Sequence, residues 1–314
     1  MGKVEYINSL VERISASFPA RYTAKQKQAF RGLLLQELAS LGWEAEVVTG
    51  GHLIKSHNVV TKNPDAEILL LAHYDTIGRD LLGGLLSRVV GHSTLGQVSA
   101  GVITGLALVQ LGGLLHRALA ASLPRLLLLP LELMVPLVLL LPLFIPNKHC
   151  LNDNTSGVIT LLNIARVLND CPGLKERVQL AFVDLEEVGL FGSRHLRRHL
   201  LKAGVDLRRT MIINFDCVGW GQVPVVCPAG KADKARQLWA HLRASRPEVA
   251  LSSMPSDHMS FRREGATAVI FGNPALLGNS FYVPNVHSPR DIHLEPQNIA
   301  WLTEEIVSFC DRSC

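Results

Sequence analysis

Charge is scarce in this 314-residue chain: only 18% of its residues are Asp, Glu, Lys or Arg, and the formal net charge is +4. No long basic run occurs, so the electrostatic footprint of a nucleic-acid-binding protein is missing and no nucleic-acid partner is expected. Cysteines number six, and none forms a Cys-x-x-Cys pair. That is too sparse for a disulfide scaffold and fits small buried residues in a reducing compartment. The N-terminal stretch MGKVEYINSLVERISASF scatters charge through its apolar positions, so no secretory signal is read and export is not expected. The 48% hydrophobic content and mean hydropathy of +0.22 lean toward a membrane-associated chain, because soluble domains usually carry more charge.

That hydrophobic excess is local. From Gly91 to Leu115 there is no Lys, Arg, Asp or Glu, and Gly101 and Gly105 have the small-xxx-small spacing that lets membrane helices approach closely. A second apolar run over 126–146 holds a single charge, Glu132. Each run has about the ~20 residues needed to cross a ~30 Å hydrocarbon core. The expectation is an inserted hydrophobic helical hairpin over 86–147, transmembrane and touching membrane lipid through residues 91–146, between two parts of one domain, 1–85 and 148–314. Pro124, Pro130, Pro136 and Pro142 interrupt the second run, which leaves room for a broken or re-entrant segment. The alternative is a hydrophobic cover over a site or a dimer face, which keeps a homo-oligomer open. Arg79, Arg88 and Lys148 on one side nearly balance Arg117 and Arg125 in the connecting loop. The missing signal then points to a catalytic portion on the cytoplasmic side.

Outside that segment the pattern is α/β. Val4, Ile7, Leu10, Val11 and Ile14, then Leu33, Leu34, Leu38 and Leu41, recur at helical spacing. EAEVV and HNVVT alternate as half-buried strands. EILLLAHYD (67–75), VQLAFVDL (178–185) and TMIINFDCVG (210–219) are continuous apolar runs ending in polar residues, as strands buried on both faces are. QVPVVC and ATAVIFG read as later strands and WLTEEIVSFC as a closing helix.

The polar ends of these strands carry the chemistry. Glu186 and Glu187 are adjacent at the edge of one strand, where open α/β sheets place ligand sites. Two carboxylates so close repel unless a cation or proton separates them, which suits one metal ligand beside one general base. A solvated loop with two acids is the plainer reading. His73 with Asp75 and then Asp216 end two other strands, Asp153 opens a helix, and His287 lies in the loop VPNVHSPRDIH. Taken singly, Asp75 and Asp153 also read as turn or cap residues and His287 as a loop histidine. Together, carboxylates mixed with imidazoles suit a pair of zinc ions, because zinc takes both ligand types and a shared carboxylate bridges two ions.

The ordered set HYD, NDNTSG, EEVGLFGS, NFDCVG, SDHMSF and VHSPRD resembles the di-zinc aminopeptidases of the bacterial leucyl aminopeptidase and aminopeptidase Y type, a family that includes glutaminyl cyclases and glutamate carboxypeptidases. The resemblance covers roughly residues 1 to 80 and 148 to 314. It implies a three-layer α/β domain with a mixed, mainly parallel central sheet flanked by helices, and a metallo-aminopeptidase acting on peptide substrates. It further implies two Zn2+ ions, with His73 and Asp216 on one, Glu187 and His287 on the other, and Asp153 bridging. Glu186 takes the general-base role, Asp75 holds the His73 ring, and Asp257 and His258 line the substrate cleft. Asp291 stabilises its loop. The sequence departs from the pattern between Asp75 and Asp153, where the greasy segment intervenes and Cys150-Leu151 replaces the usual glycine-alanine. A glutaminyl cyclase-like acyltransferase and a non-catalytic membrane scaffold on the same fold are the alternatives.

Overall fold

The computed structural model describes residues 2–63, 65–78, 87–89, 91, 110, 113–114, 117, 144–277 and 279–312. Two N-terminal helices, α1 (Lys3–Ser17) and α2 (Ala24–Ser40), lead into strands β1 (Ala45–Gly50), β2 (Ser56–Thr61) and β3 (Ile68–His73). After a tight turn at Leu151–Ser156 come α3 (Gly157–Asn169), the short α4 (Pro172–Lys175), β4 (Val178–Val183), α5 (Phe191–Lys202) and β5 (Met211–Phe215). Then follow β6 (Val223–Pro228), α6 (Asp233–Ser245), β7 (Ala250–Leu251), a 3-10 segment at Asp257–Glu264, β8 (Thr267–Pro274), β9 (Phe281–Tyr282) and α7 (Pro296–Arg312).

The sheet runs β1-β2-β4-β3-β5-β8-β6-β7, with β9 paired to β8. Its central strands β4, β3, β5 and β8 are mutually parallel, whereas β2 joins β4 and β6 joins β8 antiparallel. The sheet is therefore mixed, with a parallel centre. Alternation along each buried strand divides the core between its two faces, as the period of two requires. Leu70, Ala72, Leu180, Phe182, Ile213 and Phe215 pack toward α1, α2, α3, α6 and α7. Leu69, Leu71, Ala181, Val183 and Ile212 pack toward α5 and the 3-10 segment. Helices on both faces make the three layers.

The helices obey the same logic. In α1 the buried stripe is Tyr6, Ile7, Leu10 and Ile14, while Val4 is exposed. The expected stripe is thus rotated slightly, so that an aromatic ring rather than valine faces the core. Thr23 caps α2 by accepting the Gln26 N–H, while the Gln26 side chain accepts from the Thr23 N–H, a reciprocal pairing that satisfies two otherwise free amide donors.

The expectation of a membrane-spanning chain is corrected here. Among the described residues no helix is long and apolar enough to cross a membrane. The longest described helices have 17 residues, about 25 Å at 1.5 Å per residue, and each turns its apolar face into the main core. The transmembrane helix and the inserted hydrophobic helical hairpin therefore have no support, and nearly all of the 91–146 run falls outside the described residues.

One glycine sets how closely the start of α5 approaches the residue after β4. A Cβ on Gly192, at the start of α5, would stand 1.8 Å from the Asp184 carbonyl oxygen, whereas one on Gly173 in α4 would meet nothing within 4 Å. Gly192→Ala is expected to lower the unfolding free energy by about 1–3 kcal/mol through overpacking. Gly173→Ala should leave it unchanged or raise it by about 0.4–1 kcal/mol, since alanine restricts the unfolded chain. Urea unfolding followed by circular dichroism measures both.

Candidate metal centre

The parallel centre of the sheet decides which residues meet. Because β3 lies between β4 and β5, its C-terminal His73 stands between Glu186 and Glu187 beyond β4 and Asp216 beyond β5. Asp153 arrives from the Leu151–Ser156 turn. The Asn154 amide donates to the Phe215 carbonyl at 2.9 Å and its oxygen accepts from the Cys217 N–H at 3.2 Å. Asn152 Oδ1 accepts from Gly219 and Trp220, so this turn is sewn to the loop that carries Asp216. A Cβ on Gly157 would lie 2.4 Å from the Phe215 carbonyl oxygen, which is why the helix start can approach so closely only with glycine.

The carboxylate of Asp153 divides between two histidines. Its Oδ1 lies 3.3 Å from His73 Nε2, and its Oδ2 lies 3.0 Å from His287 Nε2. Asp216 Oδ1 stands 3.6 Å from His73 Nε2 and Glu187 Oε2 stands 3.2 Å from His287 Nε2. Two potential ligand sets result, His73–Asp153–Asp216 and Asp153–Glu187–His287, sharing Asp153; His73, Glu186 and Glu187 form a third, overlapping group. Asp216 Oδ1 and Glu187 Oε1 are buried with no hydrogen-bond partner among the described residues. Orphaned carboxylate oxygens that face an imidazole across a shared carboxylate fit divalent cations with mixed nitrogen and oxygen ligands, such as zinc.

Electrostatics supports the same reading. Asp75, Asp153, Glu186, Glu187, Asp216 and Asp257 gather around His73 and His287. Burial alone disfavours imidazolium, yet hydrogen bonds to Asp153, Asp216 and Asp75 outweigh it at His73 and hold its pKa well above the ordinary range. At His287 burial is likewise outweighed by Glu187 and Asp153. Burial, then repulsion from Asp153, pushes Glu187 up to about 6, while Glu186 is driven well above the usual carboxylate range by burial and by Glu187, Asp257 and Asp216. A site that strains this far to hold protons is one that metal cations would neutralise.

The supporting residues are placed as follows. Asp75 Oδ1 is 3.6 Å from His73 Nδ1, and the Asp75 backbone carbonyl is nearer, at 3.3 Å. The Asp75 carboxylate also accepts the backbone N–H of Glu186 at 3.1 Å and of Glu187 at 3.4 Å, so it orients the acid pair as well as the ring. Asp291 accepts the amides of Asn152 and Asp153 at 2.9 and 3.0 Å, holding the Asp153 turn from behind. Asp257 and His258 are buried beside the cluster. Burial pushes Asp257 up to about 7 and His258 down to about 4.

Sequence reading missed two features. Ser256 donates to Asp216 Oδ2 at 2.5 Å and is in turn bonded by Asn214; it opens the quoted SDHMSF motif, and a hydroxyl beside an acid was the available signal. The second is backbone conformation: Leu185, Cys217 and His287 have φ of 56°, 52° and 56°. Non-glycine residues in this region cost about 1–3 kcal/mol each and cluster at functional sites. No sequence signal announced them.

Removing a cation from such a cluster restores carboxylate repulsion. A chelator is expected to lower the thermal midpoint of the wild-type protein and added zinc to restore it. In His287→Ala that zinc-dependent recovery should shrink, because ligand binding to the folded state contributes up to about 4 kcal/mol at a thousandfold excess over Kd. Differential scanning fluorimetry reads the shift.

The family model described as Peptidase family M28 matches residues 144–307. Aminopeptidase YwaD of Bacillus subtilis (strain 168) is 30% identical over 158 residues, 47% of this chain and 33% of that protein. The matched region therefore spans about a third of the length of that relative. Among solved structures, a glutaminyl cyclase of Bacteroides thetaiotaomicron bound to N-acetylhistamine superposes with a TM-score of 0.64 at 17% identity, covering 99% of this chain and 97% of that one. A Zn-dependent exopeptidase of Parabacteroides distasonis ATCC 8503 gives 0.61 at 16% identity, covering 99% and 97%. At such identities the structural likeness speaks for the fold. The family match extends over more than half of the chain and contains Asp153, Glu186, Glu187, Asp216 and His287, and on that ground the protein belongs to peptidase family M28.

Proposed function

We propose that this chain is a zinc-dependent exopeptidase, an aminopeptidase that releases N-terminal residues from peptides. The observation that carries this reading is the divided Asp153 carboxylate, with one oxygen toward each of two histidines and Glu186 beside them. In this reading His73, Asp153 and Asp216 would hold one zinc ion, and Asp153, Glu187 and His287 would hold a second. When bound, zinc polarises a carbonyl and makes water a stronger acid.

The chain's own residues supply the rest. Glu186 lines a cavity of about 380 Å³ together with Asp153, Glu187, Asp216 and His287. Its raised proton affinity, caused first by burial and then by Glu187, Asp257 and Asp216, suits a group that must accept a proton and then give it up. One Glu186 carboxylate oxygen takes the proton from the attacking water and delivers it to the nitrogen of the departing amine as the C–N bond breaks. Asp75, by accepting the Glu186 and Glu187 amides, keeps that oxygen aimed into the cleft. The wall opposite is apolar, formed by Ile77, Met254, Ile270, Val283 and Val286. It favours an aliphatic side chain on the released residue, because burying one there gains about 25 cal/mol per Å². The partial likeness to an aminopeptidase supports this substrate class.

Glu186→Gln is expected to reduce hydrolysis of a leucine amide by about 10²–10⁴-fold, the usual contribution of a positioned base, with zinc content near that of the wild type by elemental analysis. Activity retained in that variant would sink the mechanism. Cyclisation of an N-terminal glutamine peptide in place of amide hydrolysis would instead assign the site to the glutaminyl cyclase type of chemistry. In a further variant, Val286→Asp should raise KM for the leucine amide more than it lowers kcat, because it alters the wall that holds the side chain rather than the proton-transfer groups.

A further inference from the structure

A second cavity, of about 390 Å³, lies behind the Asp153 turn, between the C-terminal end of α1 and the segment that leads into that turn. One of its walls is Arg21, whose side chain is 1% exposed. Arg21 Nε donates to the Tyr74 carbonyl at 2.6 Å and Nη1 to the Phe18 carbonyl at 3.3 Å, while the guanidinium lies 5.0 Å from the Phe30 ring centre. Nη2 has no hydrogen-bond partner among the described residues, and none of the ion pairs found there includes Arg21. Asp75, Asp153 and Asp291 attract the guanidinium through space, but their carboxylates are committed to backbone amides and histidines, and a buried donor without a hydrogen-bond partner is costly.

The rest of the cavity is built accordingly. Lys148 and His149 stand at its exposed edge. They are held there because Asn147 accepts the His149 N–H and donates to the carbonyls of His149 and Ser288. Asp291 also lines the space, but both of its oxygens are committed to the amides of Asn152 and Asp153. The remaining wall is apolar, chiefly Ile14, Phe18 and Leu151. Its volume lies in the ~300–1,000 Å³ range of small-molecule sites.

From this geometry we infer that the cavity binds a small apolar carboxylate, with the carboxyl group on Arg21, assisted by Lys148 and His149, and the hydrocarbon tail against Ile14, Phe18 and Leu151. Guanidinium is the natural partner, since its fork matches a carboxylate. The site is separate from the metal cluster but mechanically joined to it. Arg21 bonds the carbonyl of Tyr74, between His73 and Asp75, and Asp291 holds the amide of Asp153.

Isothermal titration of the zinc-loaded full-length protein with hexanoate, hexanamide and inorganic phosphate tests this. Hexanoate is expected to bind saturably at one site, with hexanamide and phosphate at least about tenfold weaker, because the first lacks the charge and the second the tail. Ser15→Trp, which fills the cavity mouth from exposed α1 surface, should abolish hexanoate binding while peptide turnover persists. Lys148→Ala should weaken it roughly twofold to fivefold, as an edge charge does. Arg21→Met should remove binding if circular dichroism shows it folded, and the Ser15 and Lys148 variants decide the matter if it is not. Failure of hexanoate to bind, hexanamide or phosphate binding as tightly, or hexanoate affinity unchanged in Ser15→Trp, would overturn the inference.

Discussion

Repulsion among buried carboxylates is the constraint around which this molecule is arranged. Asp153, Glu187 and Asp216 are each nearly inaccessible, and Asp216 Oδ1 and Glu187 Oε1 have no hydrogen-bond partner among the described residues. In a medium of low dielectric such a group is stable only if cations or protons divide it. The two imidazoles do part of this work, and their raised proton affinity measures how much charge they oppose. The surrounding backbone is correspondingly over-determined: five hydrogen bonds of the Asn152 and Asn154 side chains tie the Asp153 turn to the end of β5 and the loop after it, and Asp75 ties the acid pair to the end of β3. Those bonds hold like charges close.

The fold supplies that rigidity economically. Parallel strands end on one side of the sheet, so side chains far apart in sequence converge there. The four central strands are buried on both faces, and the deepest residues, such as Leu70, Phe182 and Phe215, lie directly beneath the cluster. The ends of the chain contribute as well. α7 packs on α1 and α3, and Arg21, just beyond α1, braces the carbonyl of Tyr74. The rear of the site is therefore as carefully built as its cleft, and it holds the second cavity.

Much of this was legible in the residues alone. The strands over EILLLAHYD, VQLAFVDL, TMIINFDCVG, QVPVVC and ATAVIFG all form, shifted by a residue or a few at their ends, because continuous apolar and β-branched runs have few other ways to be buried. The helices α1, α2 and α7 also form where they are expected. The membrane expectation is not supported, because no described helix is long and apolar enough to cross a membrane and the apolar faces of the described helices pack into the protein's own core. The short β7 and β9 and the 3-10 segment were not anticipated, since so few residues carry no period.

The sequence by itself determined the chemical inventory: two histidines and a set of acids at the ends of apolar strands, in an order that resembles one peptidase family. Residue type and local burial pattern are one-dimensional properties, and they survive reading along the chain. Only the tertiary structure decided that Asp153 turns one oxygen toward His73 and the other toward His287, that Asp75 accepts the Glu186 and Glu187 amides as well as facing His73, and that Arg21 Nη2 is buried without a hydrogen-bond partner among the described residues. Those facts depend on strand order and on loops meeting across the sheet edge. Distances between residues some 50 to 200 positions apart are set by packing, and no local pattern encodes them.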